Sequence, residues 1–398
     1  MKRVSSSHTL RMLCILCGFA FATSPARAVD HRIELDAPWP QAADVAPGDR
    51  ILLAAGLHSS VMIQSYRGTS EAPVVITSAH PKIPAGIGKG TERDWALELR
   101  DCDHVTVKSL LVIAPAQGGV RVVGPASGRR GSVSLVDLQV LPPTADRFPE
   151  FGISAARLDR LDLAGLRVYR WLDTGFRIED TGAVRGSVLV GEGTGKLGSG
   201  LVGLASLGVD RTRLTGCSFI GMTKLGVTVS GLAGSRSSLE MDRCVFLKIP
   251  TPIEIDAGSH TSLSVDLQRS TIVNPVEGVV VVTEPKSAPI AGKETTADDR
   301  DPITVKMSSC LVTWTVGRLK TLVDPGTSSA DFEFGPNLWW SAESSELVDA
   351  FGGFPGRKTG TQLVDVDPDL ETKSLIARNP AAAAFGHGVA EDNPSGPE

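Results

Sequence analysis

The stretch LTGCSFIGMTKLGVTV, Leu214 to Val229, is one copy of a unit that the chain repeats. An apolar residue is followed at offsets of three and five by Cys217 and Phe219, and some residues later Gly226 opens a short alternating strand. The first half recurs as VKSLLV, LVDLQV, LAGLRV, VRGSVL, MDRCVF, LQRSTI and MSSCLV, and the second as GGVRV, TGFRI, SGLVGL, TPIEI and EGVVVV. Counted on the Gly or Pro that opens the second half (Gly119, Gly152, Gly175, Gly200, Gly226, Pro252, Gly278), the intervals are 33, 23, 25, 26, 26 and 26 residues. Such a period, with two or three alternating strands per unit and no helical pattern, specifies an all-β solenoid in which each unit is one turn of a coil. Leucine-rich repeats share the period but need a fixed LxxLxL and a following helix, which this chain lacks.

A lone turn cannot close its own core. Stacking turns at about 4.8 Å pairs every strand with the turns above and below and buries one continuous interior. Alternation then places Val120 and Val122, Ile153 and Ala155, Phe176 and Ile178, Val227 and Val229, Ile253 and Ile255, and Val279 and Val281 inside. The residues between them form an outward column, Arg121, Ser154, Arg177, Val202, Thr228, Glu254 and Val280, with a second column two residues on that holds Glu179, Ser230 and Asp256. Function has to sit on such columns. Cys217, Cys244 and Cys310 share one repeat position with Leu110, Leu138 and Leu166, which reads as an interior stack of small apolar side chains; a Cys217–Cys244 disulfide between adjacent turns is the alternative.

The N-terminus reads MKRVSSSHTLRMLCILCGFAFATSPARA: basic residues, an apolar core near Met12 to Ala22, and an Ala26-Arg27-Ala28 ending suited to signal peptidase. Residues 1–28 are therefore expected to be a cleaved leader and the protein to be secreted or periplasmic. The apolar run is too short to span a bilayer, for which about 18 residues are needed. Removing it takes away Lys2, Arg3, Arg11 and Arg27 and no acid, leaving 36 basic against 45 acidic residues, a net charge of −9. That balance argues against long-range steering of nucleic acid, an anionic membrane or a uronate polymer, which only a local basic groove would override.

Residues 29–100 are expected to hold an N-terminal cap and the first turns, residues 101–326 the main body of the coil, 327–390 the last turns and a C-terminal cap, and 391–398 a disordered tail. An open solenoid end exposes unpaired backbone groups, and IELDAPWPQAADV is the natural cover, with a short helix after Pro40. The polar segment of residues 284–302 reads as a projecting loop. Trp339 and Trp340 are adjacent, so in a strand they point to opposite faces, one covering the last turn.

The runs PGDRILLAAGLH, RGTSEAPVVITS and WALELRDCDHVTVKSLLVIAPAQGGVRVV resemble the opening of secreted right-handed parallel β-helix proteins, which include polysaccharide lyases of the alginate and chondroitin type. The LTGCSF and MDRCVF units are similar to interior turns of that superfamily, and DVDPDLETKSLIARNPAAAAFGHGV is similar to its closing segment, with Asn379 where Ser is usual. The resemblance covers roughly residues 45 to 390. It implies a single-stranded right-handed parallel β-helix, expected to be a monomer, with a groove that holds a polysaccharide or cell-surface glycan.

In the resembled lyases a Lys or Arg serves as base or neutraliser, and calcium held by acidic side chains offsets the uronate charge. The best constellation here is Lys224 as base with Glu254 and Asp256 as calcium or substrate ligands and His260 following in the loop; Arg121, Arg177, Glu179 and His260 are the expected substrate contacts, although Arg177 and Glu254 lie three turns, roughly 14 Å, apart. The Ser-Lys-Ser segment expected after a strand like PIEI is replaced by DAGSH, and the Arg-His-Gly segment of the following turn by EGVVVVTEP. Glu254 and Asp256 also have the nominal spacing of a glycosidase pair, about 5 to 10 Å. No GxSxG, HExxH, phosphate-loop or dinucleotide fingerprint is present. The expectation is thus a glycan-binding β-helix without a recognisable catalytic set, with an active calcium-assisted lyase or a structural and adhesive surface solenoid as alternatives.

Overall fold

Alternating apolar residues in short runs, separated by residues that turn the chain, build a coil with three flat faces. One complete turn is the strands Arg211–Thr215, Ser218–Ile220 and Leu225–Ser230, and it pairs in register and in parallel with Arg236–Asp242, Val245–Leu247 and Thr251–Asp256 of the next turn. The computed structural model describes residues 28–90, 93–193, 200–231, 235–256, 262–283, 303–314 and 330–341, the short pieces 323–324, 357–358 and 363–364, and parts of 367–386. Every pairing between the strands described is parallel, and the third face is a ten-stranded sheet running from Val61–Gln64 to Val323–Asp324. The parallel β-solenoid expected from the repeat is therefore what the chain forms. No helix among the described residues is long and apolar enough to cross a membrane.

The corner between the first and second faces is made by one residue per turn in the left-handed region: Ser109, Asp137, Gly165, Val188, Gly216, Arg243, Arg269 and Ser309. The next position in each turn points inward, and it forms one column: Leu110, Leu138, Leu166, Leu189, Cys217, Cys244, Ser270, Cys310 and Asn337. The cysteines are thus interior fillers, as their shared repeat position implied, and all four described thiols are free. Burial pushes the Cys310 thiol up to about 12 and that of Cys102 to about 11. Cys244 is likewise held well above the ordinary thiol value, chiefly by its contact with Cys217 on the turn before. Where the column turns polar it serves the backbone: Ser270 Oγ and Asn337 Oδ1 accept the Cys244 and Cys310 amides at 3.1 and 2.9 Å. The corner would otherwise bury those donors unpaired.

The interior is filled by the residues expected on the third face, each 1 % exposed or less from Val120 to Ile255. Two positions differ. Register aligns Gly203, not Gly200, with Gly175 and Gly226, and Val279, not Gly278, with Pro252, so the true intervals are 33, 23, 28, 23, 26 and 27. The inward pair on the later turn is accordingly Val280 and Val282, and the outward column carries Ala205 and Val281 where Val202 and Val280 were expected. Corner loops of unequal length absorb the difference, and the strands keep step because hydrogen bonding, not chain count, sets the register. The Gly position itself is steric: a Cβ on Gly152 would lie 2.2 Å from Val168 Cγ1 across the bore.

At the N-terminal end, the strand Asp30–Ile33 pairs with Arg50–Leu53, and a 3-10 turn at Ala42–Asp44 follows Pro40, so the predicted cover is present. Ile33 and Val45 pack onto the first turn with Trp39 beside them. Asp49, 2 % exposed, holds the cap together: its carboxylate accepts the Val29 and Ala46 amides at 2.8 and 2.9 Å and contacts His31 Nε2 at 2.9 Å. Towards the other end Trp339 is fully buried, whereas Trp340 faces outward and packs with Leu370, Ala377 and Phe385. The described part of the C-terminal segment runs along the outside of the second face, with Leu375 on Val245 and Val273 and Ala382 on Leu311 and Leu338.

Two predictions follow from corner and cap. Val188 is a β-branched residue at φ 52°, 52 % exposed, between turns that use Gly165 and Gly216 there. Left-handed backbone costs such a residue about 1–2 kcal/mol, so Val188→Gly, despite the entropy glycine loses, is expected to leave the fold as stable or up to about 1 kcal/mol more stable, measured by urea unfolding. Burial would raise the Asp49 carboxyl, but bonds from His31, Ala46 and Val29 outweigh it and hold it below its ordinary value. A depressed carboxyl stabilises above its unfolded value, near pH 3.8, and stops doing so as pH falls through the folded value. Asp49→Asn should therefore destabilise the protein at pH 7 and flatten the acid limb of its melting-temperature profile.

Candidate functional site

The outer surface of the third face carries a column whose register is Met62, Glu98, Arg121, Ser154, Arg177, Ala205, Thr228, Glu254 and Val281. Beside it, two residues on, run Gln64, Arg100, Val123, Ala156, Glu179, Leu207, Ser230, Asp256 and Thr283. Most of the charge lies on the first five strands, which carry Glu98, Arg100, Arg121, Arg177 and Glu179. Glu98, 8 % exposed, accepts from Arg100 Nε and Nη2 at 2.9 and 3.1 Å and from Arg121 Nη1 at 3.2 Å.

Aromatic rings support the two arginines of the main column. The guanidinium of Arg121 lies 5.8 Å from the centroid of Trp95 and that of Arg177 lies 5.2 Å from the centroid of Phe151. Trp95 and Phe151 are two turns apart, with Gly118 between them, and their rings stack at 6.1 Å and 4°. Trp95 Nε1 donates to Gln117 Oε1, and Arg177 donates twice to Glu179 Oε1, at 2.8 and 2.6 Å. Each guanidinium is thus fixed by a ring and a carboxylate while remaining part-exposed. Arg121 and Arg177 flank Ser154 on the intervening turn, a separation of about 10 Å at about 4.8 Å per turn.

Two clefts meet at Met62 next to this patch. One, of about 340 Å³, is lined by Met62, Arg93, Asp94, Trp95, Glu98, Arg100 and Arg121. The other, of about 420 Å³, reaches towards the cap past Gln64 and Tyr66 to Trp39 and Gln41. Tyr66 is pinned there by its bond to the Pro40 carbonyl at 2.7 Å. The two clefts share Met62 and together make a groove lined by polar, charged and aromatic side chains between the cap and Arg121.

The expected residues are distributed as follows. Arg121, Arg177 and Glu179 come together on the third face. Glu254 and Asp256 lie on the same face three turns beyond Arg177, about 14 Å away, with Thr228 Oγ1 at 3.5 Å from Glu254. Lys224 is exposed and precedes the strand Leu225–Ser230, whose first residue pairs with Thr251. Lys224 is therefore displaced by four residues along the strand from Glu254 and by six from Asp256, roughly 13 and 20 Å. A lysine side chain does not cover that distance, so these three are not gathered at one point. His260 lies outside the described residues. Calcium takes six to eight oxygens. Among the described residues no group of three or more His, Cys, Asp or Glu side chains converges, and residues 257–261, which follow Asp256, lie outside them.

Glu98, Trp95 and Phe151 were not singled out from the sequence, although a signal existed. Aligning WALELR with GGVRVV as consecutive third-face strands sets Glu98 against Arg121. The ring pair had no such signal, because it depends on Gly118 standing between residues 56 positions apart.

No protein-family model and no curated protein sequence matches the chain. Among solved structures it is similar to an alginate lyase from a Paenibacillus species (14% identity, TM-score 0.47, covering 85% of this chain and 99% of that one). It is similar also to the pectate lyase Pel9A (11%, 0.45, 92% and 93%) and to a GH136 lacto-N-biosidase from Eubacterium ramulus (12%, 0.46, 85% and 68%).

The ring pair gives a prediction. A Cβ on Gly118 would come 2.2 Å from Trp95 Cζ3, so Gly118→Ala must separate the stacked rings. Overpacking of this kind costs about 1–3 kcal/mol in urea unfolding, and the near-ultraviolet circular dichroism of Trp95 should change with it.

Proposed function

We propose that the protein is exported and that the N-terminal half of its third face binds a glycan chain bearing acidic groups, without cleaving it. The observation that supports this is the pair of guanidiniums held over the Trp95 and Phe151 rings, about 10 Å apart on the outer surface of the third face. Arg presents a planar fork of donors that suits carboxylates and vicinal hydroxyls, and fixing it beforehand lowers the entropy lost on binding. Trp39 and Gln41 at the cap end of the groove offer an aromatic face and an amide to neighbouring sugars. The chain as a whole is acidic, so attraction is local to this groove.

Titration calorimetry against a panel of acidic and neutral polysaccharides, with absorbance of unsaturated product followed in parallel and calcium present, tests the reading. An acidic glycan should bind and produce no absorbance. The Arg121→Ala/Arg177→Ala double variant should weaken binding by about tenfold or more, as loss of charged hydrogen bonds requires, and added salt should weaken it too. Product formation that vanished in Lys224→Ala would replace this reading with the lyase. Failure of every glycan to bind would leave a structural solenoid.

A further inference from the structure

The first residues of the cap meet a buried carboxylate at a position that the sequence marks for cutting. Asp49 is 2 % exposed, and Oδ1 accepts the backbone nitrogen of Val29 at 2.8 Å. Its other oxygen is occupied by His31 Nε2 and the Ala46 amide, both at 2.9 Å. The Val29 carbonyl in turn accepts the Arg50 amide at 2.9 Å, so Val29 is the point where the cap strand joins the first turn. Asp30 and Arg50 beside it form a solvent-exposed pair at 3.6 Å. Asp49 is thus a carboxylate with one partly exposed histidine and two neutral amides as partners, and nothing of full charge among those partners is fixed against Oδ1. The Ala26-Arg27-Ala28 ending places the expected cut between Ala28 and Val29.

We propose that the Ala28–Val29 bond is the processing site and that the new α-ammonium of Val29 docks on Asp49 as an ion pair, tightening the cap in the processed chain. Hydrolysis breaks the Ala28 C–N bond: water gives its hydroxyl to the Ala28 carbonyl carbon and a proton to the Val29 nitrogen, and the carboxyl proton is lost as the amine takes one up. The neutral amide donor thereby becomes a cation with three donors. A charge-assisted bond to a buried carboxylate is roughly twice as strong as the neutral one it replaces. Before cutting, the cap is held by neutral donors and His31, so the first turn stays looser until the leader is gone. The inference rests on the export part of the reading above and not on glycan binding.

Two measurements test it. Expressed with its own leader in a secreting bacterium, the protein should give an intact mass that begins at Val29; any other start overturns the processing site. Independently of export, the chain is prepared beginning at Val29, beginning at Ala28, and beginning at Val29 with an acetylated amine. Hydrogen exchange at pH 7 in Asp30–Ile33 and at Arg50 should be about tenfold slower in the first than in the other two. Asp49→Asn in the Val29 chain should remove the difference. Equal exchange in the three wild-type chains overturns the lock even if the cut is where we place it, and because none of these readouts involves a glycan, failure of binding would leave them unaffected.

Discussion

Each turn of this protein depends on its neighbours for both of the things a fold needs. Its backbone donors and acceptors point along the coil axis, where only another turn can satisfy them, and its inward side chains form a layer too thin to exclude water alone. Pairing in register solves both at once: Val227 stacks on Leu204 and Ile253 because the strands that carry them are hydrogen-bonded. Faults in one turn are therefore felt by the two beside it, and the ends are the weak points. The N-terminal strand Asp30–Ile33, anchored through Asp49, and the C-terminal segment laid against the second face are the chain's answers to that weakness.

The corners carry the cost of closing the coil. A parallel strand cannot bend sharply without one residue leaving the β region, and at Ser109, Asp137, Val188, Arg243, Arg269 and Ser309 that residue is not glycine. The neighbouring interior column softens as it is followed along the chain, from Leu110 to Cys217 to Ser270 to Asn337. Ser270 and Asn337 there accept the amides of Cys244 and Cys310, whereas the cysteine thiols fill the interior and lie against backbone carbonyls, Cys217 on Thr215, Cys244 on Asp242 and Cys310 on Ser308.

The candidate site is a by-product of the same stacking. Because register is exact in pairing but the loops differ in length, residues far apart in sequence are set side by side on the outer surface. Glu98, Arg121, Ser154 and Arg177 occupy four successive turns. The groove lies where the cap residues Trp39 and Gln41 stand beside Met62 and Gln64 and where Trp95, Glu98 and Arg121 adjoin them. Farther along the same face stand Glu254 and Asp256.

The amino-acid sequence by itself determined the coil: a recurring apolar pattern of period in the twenties has no other way to bury its inward residues, and alternation told inside from outside at Val120, Phe176, Val227 and Ile253. It also placed Arg121, Arg177 and Glu179 on one outer face, because their parity within the strand is local information. Only the tertiary structure decided the register across unequal loops, which moved Ala205 and Val281 into the outward column in place of Val202 and Val280. The same holds for what surrounds the arginines. Glu98 beneath Arg121, the ring pair across Gly118 and the distance of Lys224 from Glu254 follow from which turns become neighbours, a choice made by hydrogen bonds between strands that no local pattern records.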